Sequence, residues 1–294
     1  MNTDYICEHK LQQYNPELHG LFKDSVFSLQ QLLTKYKTIF PTYTDHTSLH
    51  SLEVIDFCNT LIGHENLKKM NTHEIYVLLM SAYLHDTGMG ITMSNYEEFS
   101  KKIDFGDYFT NHSKDDIPSI IRDFHNEFSG EYIKKYAPFF DIPTKEHIFA
   151  IVQVSRGHRK TDLFDEKEYP ANFKVPSGDN ICLPYLAALI RLADELDVTM
   201  ERNLQFFYDI DKISNAVSQM EFRKHQAIRR LTTDEKTFTM EVDESDEIVF
   251  KETMKLVEKL NLTLKECRDV VEKKTPFKIT QEEIIVIPIR GEKI

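Results

Sequence analysis

The residues of this chain that could do chemistry are histidines and aspartates spread at wide, similar intervals. An adjacent pair, His85 and Asp86, ends the apolar segment AYLHDTGMG, where two glycines predict that a helix stops. Imidazole nitrogens and carboxylate oxygens together suit borderline ions such as Mn²⁺, Fe²⁺ and Zn²⁺. The dipeptide alone indicates little, because His next to Asp arises by chance in many proteins.

Four further candidate ligands make a metal-binding role for this pair more specific, because each lies on or beside a different predicted helix. They are His50 in LHSLEVI, His125 in RDFHNEF, His158 in SRGHRKT and Asp194 in RLADELD. The gaps are 35 residues from His50 to His85, 39 from Asp86 to His125, then 33 and 36 to the last two. A helical bundle can bring residues spaced in this way together around one core site. The spacing therefore predicts that these side chains meet at one core site.

A second histidine, His46, lies four residues before His50, which is about one turn of helix. Ser48 between them is a suitable helix cap, so His46 need not share the helical face of His50. We interpret His50 as a ligand on a helix that reaches the core. His46 is expected at the rim of the site, as a proton donor for the substrate or a group supporting a ligand, or else as a loop histidine without a role.

The ordered set resembles the HD superfamily of metal-dependent phosphohydrolases, whose pattern is H…HD…H…H…D. The resemblance covers about residues 40–200 and includes the stretches HSLEVIDF, SAYLHDTGM and LIRLADELDVT. It implies that one metal is held by His50, His85, Asp86 and Asp194, and a second by Asp86, His125 and His158. More narrowly, YTDHTSLHSLEVI with RLADELDVTMER is similar to a bacterial subgroup, some of whose members carry or accompany ATPases of the histidine-kinase type.

The resemblance also implies a reaction, the hydrolysis of a phosphoester or phosphoanhydride by a metal-bridged hydroxide. A nucleotide or dinucleotide is the expected substrate, and Asp86 would bridge the metals and steer the attacking water. Two cations about 3.5–4 Å apart lower the pKa of a bridging water and clamp the phosphoryl oxygens. The expected cofactor is two divalent ions, with Mn²⁺ or Fe²⁺ favoured and Mg²⁺, Zn²⁺, Ni²⁺ or Co²⁺ also suitable.

Charged residues beside the six candidates are expected to support this chemistry. Arg159 and Lys160 follow His158, and Arg122 lies one turn before His125. Guanidinium and ammonium groups in these places are predicted to bind phosphate, although such residues are often only a solvated helix end. Asp197 shares a helical face with Asp194, so we expect it to orient a ligand or to form a salt bridge.

Other functions compete with hydrolysis of a small phosphorylated molecule. A complete ligand set can also serve a non-catalytic, regulatory HD module in a signalling or defence system. An HD nuclease fits less well, because the net charge of −12, from 36 basic and 48 acidic residues, repels a phosphate backbone. The GYP signature of cyclic-dinucleotide phosphodiesterases is replaced here by GHRKTDLFDEKEYP, whereas diadenosine tetraphosphate hydrolases share the six-residue pattern.

Length and composition predict a cytoplasmic protein that does not enter membranes. The N-terminus MNTDYICEHK lacks the layout of a signal peptide, and Pro184 and Arg191 break the longest apolar region. The four cysteines lie far apart and form no CxxC pair, so buried free thiols are expected. A homo-oligomer and an ATPase partner are both compatible with the sequence.

The predicted fold class is mostly α, an HD-type helical bundle followed by a small α+β domain. Helical periodicity dominates up to about residue 200, and we expect a helical HD phosphohydrolase domain over 1–200 and an α+β domain over 201–294. In the second part, the strand-like segments TFTMEV and EEIIVIPI bracket a long helix from about 247 to 272.

Overall fold

The computed structural model describes residues 6–33, 48–112, 116–199 and 216–290. Within these ranges most residues are helical, and a small sheet lies near the C-terminus, which confirms the predicted fold class. The α-helices are α1 (Ile6–Tyr14), α2 (Pro16–Leu33), α3 (Ser48–Lys69), α4 (Thr72–Leu84), α5 (Met93–Phe99), α6 (Tyr108–Asn111), α7 (Ile117–Tyr136), α8 (Lys145–Arg156), α9 (Leu183–Leu196), α10 (Ala216–Ala227) and α11 (Glu247–Lys274). The strands are β1 (Phe173–Lys174), β2 (Asn180–Ile181), β3 (Ile228–Thr233), β4 (Thr237–Asp243) and β5 (Glu283–Ile289).

Helix α4 is the central helix of the bundle, because every residue from Glu74 to Leu84 is buried. Asn71 begins it with a capping box, in which its side chain accepts from the backbone of Glu74 and the Glu74 side chain accepts from the backbone of Asn71. Helices α1, α2, α3 and α8 pack around it. A helix that is apolar on all sides must be enclosed in this way, and its C-terminal end therefore delivers His85 and Asp86 to the interior.

Three helix boundaries differ from those that the sequence predicts. The sequence predicts that the second helix stops near Gly63, but α3 continues to Lys69 across a kink at that glycine, whose φ is 59°. It predicts one helix over about 116–124 and another over 127–136, but these form one helix, α7, with a kink at Phe124. It predicts that the last bundle helix begins at Asn180, but α9 begins at Leu183, because β2 pairs with β1 before the helix starts.

The C-terminal sheet has the strand order β3-β4-β5. Strands β3 and β4 are antiparallel, whereas β4 and β5 are parallel and are joined by α11 as the crossover. Alternate residues of β4, namely Phe238, Met240 and Val242, are buried on one face of the sheet. The two predicted strands and the helix between them are confirmed, and β3 was not predicted.

The C-terminal elements pack directly on the helical bundle. Helix α11 lies against α9, the Lys259 ammonium is 2.9 Å from the Glu195 carboxylate, and the Tyr185 and Phe277 rings stack at 4.1 Å. One cluster of buried hydrophobic residues includes side chains from both parts. The predicted division near residue 200 falls at the edge of a range outside the described residues and stays a prediction.

The cysteines are buried and free, as the sequence predicts. Burial raises the pKa of the Cys7 thiol to about 12, so it stays protonated and behaves as an apolar group. In the described part of the chain, no helix combines the length and the apolar character needed to cross a bilayer.

Candidate metal centre

The structure brings the six predicted ligands together from five helical elements. His50 lies in the first turn of α3, and His85 and Asp86 follow the end of α4. The other three come from α7, from the turn after α8 and from the last turn of α9; they are His125, His158 and Asp194. They form two groups that could hold a metal ion, and within each group the ligand atoms lie within 4.8 Å of one another.

The first group consists of His50, His85, Asp86 and Asp194. The Nε2 atom of His50 lies 3.2 Å from Nε2 of His85, 3.5 Å from Oδ2 of Asp86 and 3.2 Å from Oδ1 of Asp194. Nε2 of His85 is also 3.3 Å from Oδ2 of Asp86. Two imidazole nitrogens and two carboxylates therefore converge on one point.

The second group shares Asp86 with the first and adds His125 and His158. The Nε2 atoms of these two histidines are 2.8 Å apart. Oδ1 of Asp86, the carboxylate oxygen that faces away from the first group, lies 3.3 Å from Nε2 of His125 and 3.7 Å from Nε2 of His158. The two oxygens of Asp86 thus face two different sets of histidines.

The outward ring nitrogens show which way each histidine presents its lone pair. Nδ1 of His85, His125 and His158 lies 3.0, 2.6 and 2.6 Å from a backbone carbonyl oxygen three residues earlier. Nδ1 of His50 lies 2.6 Å from Oδ2 of Asp197. A carbonyl oxygen or a carboxylate only accepts, so Nδ1 carries the hydrogen and Nε2 directs a lone pair inward.

This donor set fits a divalent cation. Two Nε2 lone pairs that face each other at 2.8 or 3.2 Å repel unless a proton or a metal ion lies between them. Ligand atoms about 2.1 Å from a common ion are themselves roughly 3.0–3.4 Å apart, which is close to the separations in the first group. The mixture of imidazole and carboxylate suits Mn, Fe or Zn.

The electrostatics of the first group favour positive charge. Burial lowers the pKa of His85, but Asp86 and Asp194 outweigh it and raise that pKa to about 9. Burial raises the pKa of Asp194, yet the neighbouring His50 and His85 hold it well below the ordinary value. A cation at this position is therefore stabilised by ionised carboxylates.

In the second group, burial lowers the pKa of His158 well below its ordinary value, and the neighbouring His125 and His85 lower it further. His158 is consequently neutral at physiological pH. A neutral imidazole is the form that binds a metal ion.

A close backbone contact fixes the position of the turn after Asp86 relative to α7, the helix that carries His125. The turn Thr87–Gly90 packs on α7 so tightly that a Cβ at Gly88 would lie 2.1 Å from the carbonyl oxygen of His125. Ser129 Oγ accepts from Gly88 N at 2.8 Å and donates to the carbonyl oxygen of His85. Only glycine leaves space for this approach. The sequence predicts a turn at this glycine and no role for Ser129.

Arg191, on α9, fixes the turn that carries His158. Its Nε donates to the carbonyl oxygen of Gly157 at 2.8 Å and its Nη2 to that of Thr161 at 2.7 Å. The guanidinium thus holds both ends of the turn, because its rigid fork can serve two acceptors at once. The sequence predicts no role for Arg191 in the site, although a lone arginine within the apolar run ICLPYLAALIRLA indicates a buried partner.

The residues that the sequence predicts to support the ligands or to bind phosphate differ in their contacts. Asp197 contacts His50, as described above. Arg159 Nη1 donates to the carbonyl oxygen of Arg122 at 2.9 Å and lies 3.1 Å from Nδ1 of His125. Lys160 is exposed and has a positive φ of 30°. His46 lies outside the described residues, so its expected role stays a prediction.

Comparison with known families decides the broad assignment. The family model HD-CE matches residues 40–273, which is more than half of the chain. The chain belongs to the HD-CE family. The match to HD-CE includes all six residues of the centre and most of α11. Comparisons with curated proteins and with solved structures found no match. Membership of HD-CE and a buried His/Asp cluster that could hold a metal ion together indicate a metal-dependent, hydrolase-like function.

Proposed function

We propose that this HD-CE protein hydrolyses a phosphoester or phosphoanhydride, with a nucleotide or dinucleotide as substrate, at a centre of two divalent ions. The observation that carries the proposal is the position of Asp86, whose Oδ2 faces His50 and His85 while its Oδ1 faces His125 and His158. A carboxylate shared in this way is what a two-metal hydrolytic site requires.

The residues of the chain have distinct tasks in this proposal. The four histidines would hold the ions through Nε2, and their Nδ1 contacts fix the ring orientations. When bound, the ions would lower the pKa of a water molecule and neutralise charge on the phosphoryl oxygens. Mn²⁺ and Fe²⁺ are the favoured ions, because both accept mixed nitrogen and oxygen ligands.

The substrate would approach on the side of Asp194. This side chain is 19% exposed, whereas those of His50, His85 and Asp86 are 5% exposed or less. Among the six residues the centre is therefore most open at Asp194, and an enclosed site strengthens electrostatic contacts with a phosphate group. The proposed role of His46 as proton donor would place it on the substrate side.

The cations that follow His158 are not equivalent in the proposal. The Arg159 guanidinium contacts the Arg122 carbonyl oxygen and lies beside His125, so it would support that ligand as well as attract phosphate. Within the described residues, the ammonium of Lys160 forms no hydrogen bond or ion pair and is available for an anion. We propose Arg159 and Arg122 as contacts of the substrate phosphate, and Lys160 as the contact of an anion bound outside the metal centre.

Hydrolysis assays of the full-length, Mn²⁺-loaded protein test the proposal. Suitable substrates are bis(p-nitrophenyl) phosphate, p-nitrophenyl phosphate and panels of nucleotides and dinucleotides. Asp86→Asn should lower the rate at least about 100-fold, since both metal groups lose a carboxylate. Asp269→Asn, at an exposed ion pair of α11, is the matched control and should retain the wild-type rate.

The alternatives give different outcomes in the same assays. Bound metal without turnover of any substrate would favour the non-catalytic, regulatory module. Turnover confined to DNA or RNA would favour the nuclease. Activity that survives His85→Ala combined with Asp86→Ala would contradict the proposed mechanism altogether.

A further inference from the structure

A cleft of about 630 Å³ lies between the segment after α8, helix α9 and helix α11. Its lining includes Lys160, Thr161, Phe164, Arg191, Glu195 and Lys259. Pockets for small molecules in proteins are typically about 300–1,000 Å³ and combine apolar walls with a few polar groups. The volume therefore suits a ligand of nucleotide size.

The cleft is separate from the interior of the metal centre. His158 belongs to the lining, but its side chain is 0% exposed and its Nε2 faces Asp86. The other five residues of the centre are not part of the lining. A ligand in the cleft would therefore contact the outside of the turn that carries His158, rather than the metal ligand atoms.

Lys160 is held at one side of the cleft in a strained conformation. Its φ of 30° lies in the left-handed region that residues with a Cβ rarely adopt. Thr161, the next residue, is anchored by Arg191 and by the hydroxyl of Tyr169, which donates to Thr161 Oγ1 at 2.9 Å. Such strain persists only where the surroundings enforce it, and it is concentrated at functional sites. Here the strained backbone is that of Lys160, whose ammonium group has no anionic partner within the described residues.

Glu195, from α9, provides an acceptor in the same cleft. Its Oε1 pairs with the Lys259 ammonium at 2.9 Å. Its Oε2 is buried and has no hydrogen-bond partner among the described residues. A buried carboxylate oxygen without a donor costs free energy, so Glu195 favours a ligand that supplies an N–H group once the side chain turns this oxygen toward the cleft.

We propose that the cleft is a second ligand site, which binds a nucleotide. The phosphate group would contact Lys160, and an N–H of the base would donate to Oε2 of Glu195. The ring of Phe164, which is 38% exposed, provides an apolar surface for the base. The lining is net positive by one charge, with four cations (Arg159, Lys160, Arg191, Lys259) against three acids (Asp162, Glu195, Glu266), although the whole chain carries −12.

Calorimetric titration of the full-length protein with GMP tests the proposal, once with Mn²⁺ bound and once after chelation with EDTA. Because the cleft contains no proposed metal ligand atom, the affinity for GMP should change by less than about threefold on chelation. Guanosine, which lacks the phosphate, and ribose 5-phosphate, which lacks the base, should each bind at least about tenfold more weakly. Binding that disappears with the metal would place GMP at the metal centre and overturn the proposal.

Variants provide a second, independent test. Glu195→Gln and Lys160→Ala should each weaken GMP binding at least about tenfold in the chelated protein. Lys265→Ala, on the exposed side of α11 and outside the cleft lining, is the matched control and should bind as the wild type does. Unchanged affinity in both cleft variants, or no GMP binding to the wild type, would overturn the proposal. Neither result depends on catalysis, so the outcome is distinguishable from that of the proposed hydrolase activity.

Discussion

Nδ1 of His50 lies 2.6 Å from Oδ2 of Asp197, and both residues are buried. The residues are 147 positions apart in the chain, and the contact joins the first turn of α3 to the residue that ends α9. The Asp197 carboxylate fixes the ring and increases the basicity of Nε2, which faces Asp86 and Asp194. Asp197 therefore orients His50, one of the residues of the candidate metal centre.

This contact predicts the effect of Asp197→Asn. The amide can still accept from Nδ1, but it removes the negative charge, so the affinity for Mn²⁺ should fall about 10- to 100-fold. Metal titration by calorimetry measures the change, and Asp56→Asn on the same helix as His50 is the control. Wild-type affinity in Asp197→Asn would show that the contact has only a structural role.

Gly88→Ala tests the close packing between the two metal groups. A Cβ would meet the carbonyl oxygen of His125 at 2.1 Å and the backbone nitrogen of Ser129 at 2.6 Å. We expect a loss of about 1–3 kcal/mol in the free energy of unfolding, together with weaker Mn²⁺ binding. Gly90→Ala, two residues on, has nothing within 4 Å of the added carbon and should be close to neutral. Equal urea midpoints for the two variants would contradict this account.

Arg191→Lys tests whether the guanidinium holds the turn of His158. Lysine keeps the charge but cannot serve the Gly157 and Thr161 carbonyl oxygens together, so stability should fall by about 1–3 kcal/mol. The amount of Mn²⁺ bound per chain should also decrease, because His158 is no longer fixed. Thermal unfolding and elemental analysis provide the two measurements. Arg230→Lys, at an exposed position of β3, is the control, and identical metal content in both variants would refute the positioning role.

His147 predicts a loss of stability in acid that does not involve the metal centre. Its Nε2 lies 2.9 Å from Nδ1 of His73, and its Nδ1 lies 2.8 Å from Thr144 Oγ1. Burial, and then the neighbouring His73, lower the pKa of His147 to about 4. Between pH 6.5 and 4 the unfolded chain therefore binds more protons than the folded protein, and this contribution to stability is lost as the pH falls.

The slope should be at most about 1.4 kcal/mol per pH unit, and smaller where water screens the pair. Urea unfolding of the wild type and His147→Gln across this range measures it. The stability advantage of the wild type should shrink as the pH falls from 6.5 to 4. A constant difference between the two proteins would contradict the assignment.

The six residues of the centre could be predicted because their signal is carried by residue type and regular spacing, and the resemblance to HD proteins gave their order. The core helices could be predicted because their apolar periodicity is strong, as in α2 and α4. Strand β3 could not, since its sequence IRRLTT has one buried residue and lacks an apolar alternation. Its pairing with β4 depends on contacts that periodicity does not contain.

The supporting contacts of the site were harder to predict than the ligands. The helical face shared by Asp194 and Asp197 indicated that Asp197 could orient a ligand, but not that the ligand is His50. The contact of Gly88 with α7 and the two carbonyl bonds of Arg191 depend on how distant elements approach each other. The cleft between α9 and α11 likewise arises only when the C-terminal helix packs on the bundle.

The central claim is that these six side chains form a two-ion metal centre, and anomalous diffraction from crystals grown with Mn²⁺ tests it most directly. We predict two anomalous peaks about 3.5–4 Å apart. One should lie within about 2.3 Å of Nε2 of His50 and His85, and the other equally near Nε2 of His125 and His158, with Asp86 between them. A map without a peak at the cluster, or with manganese bound only elsewhere, would contradict the account.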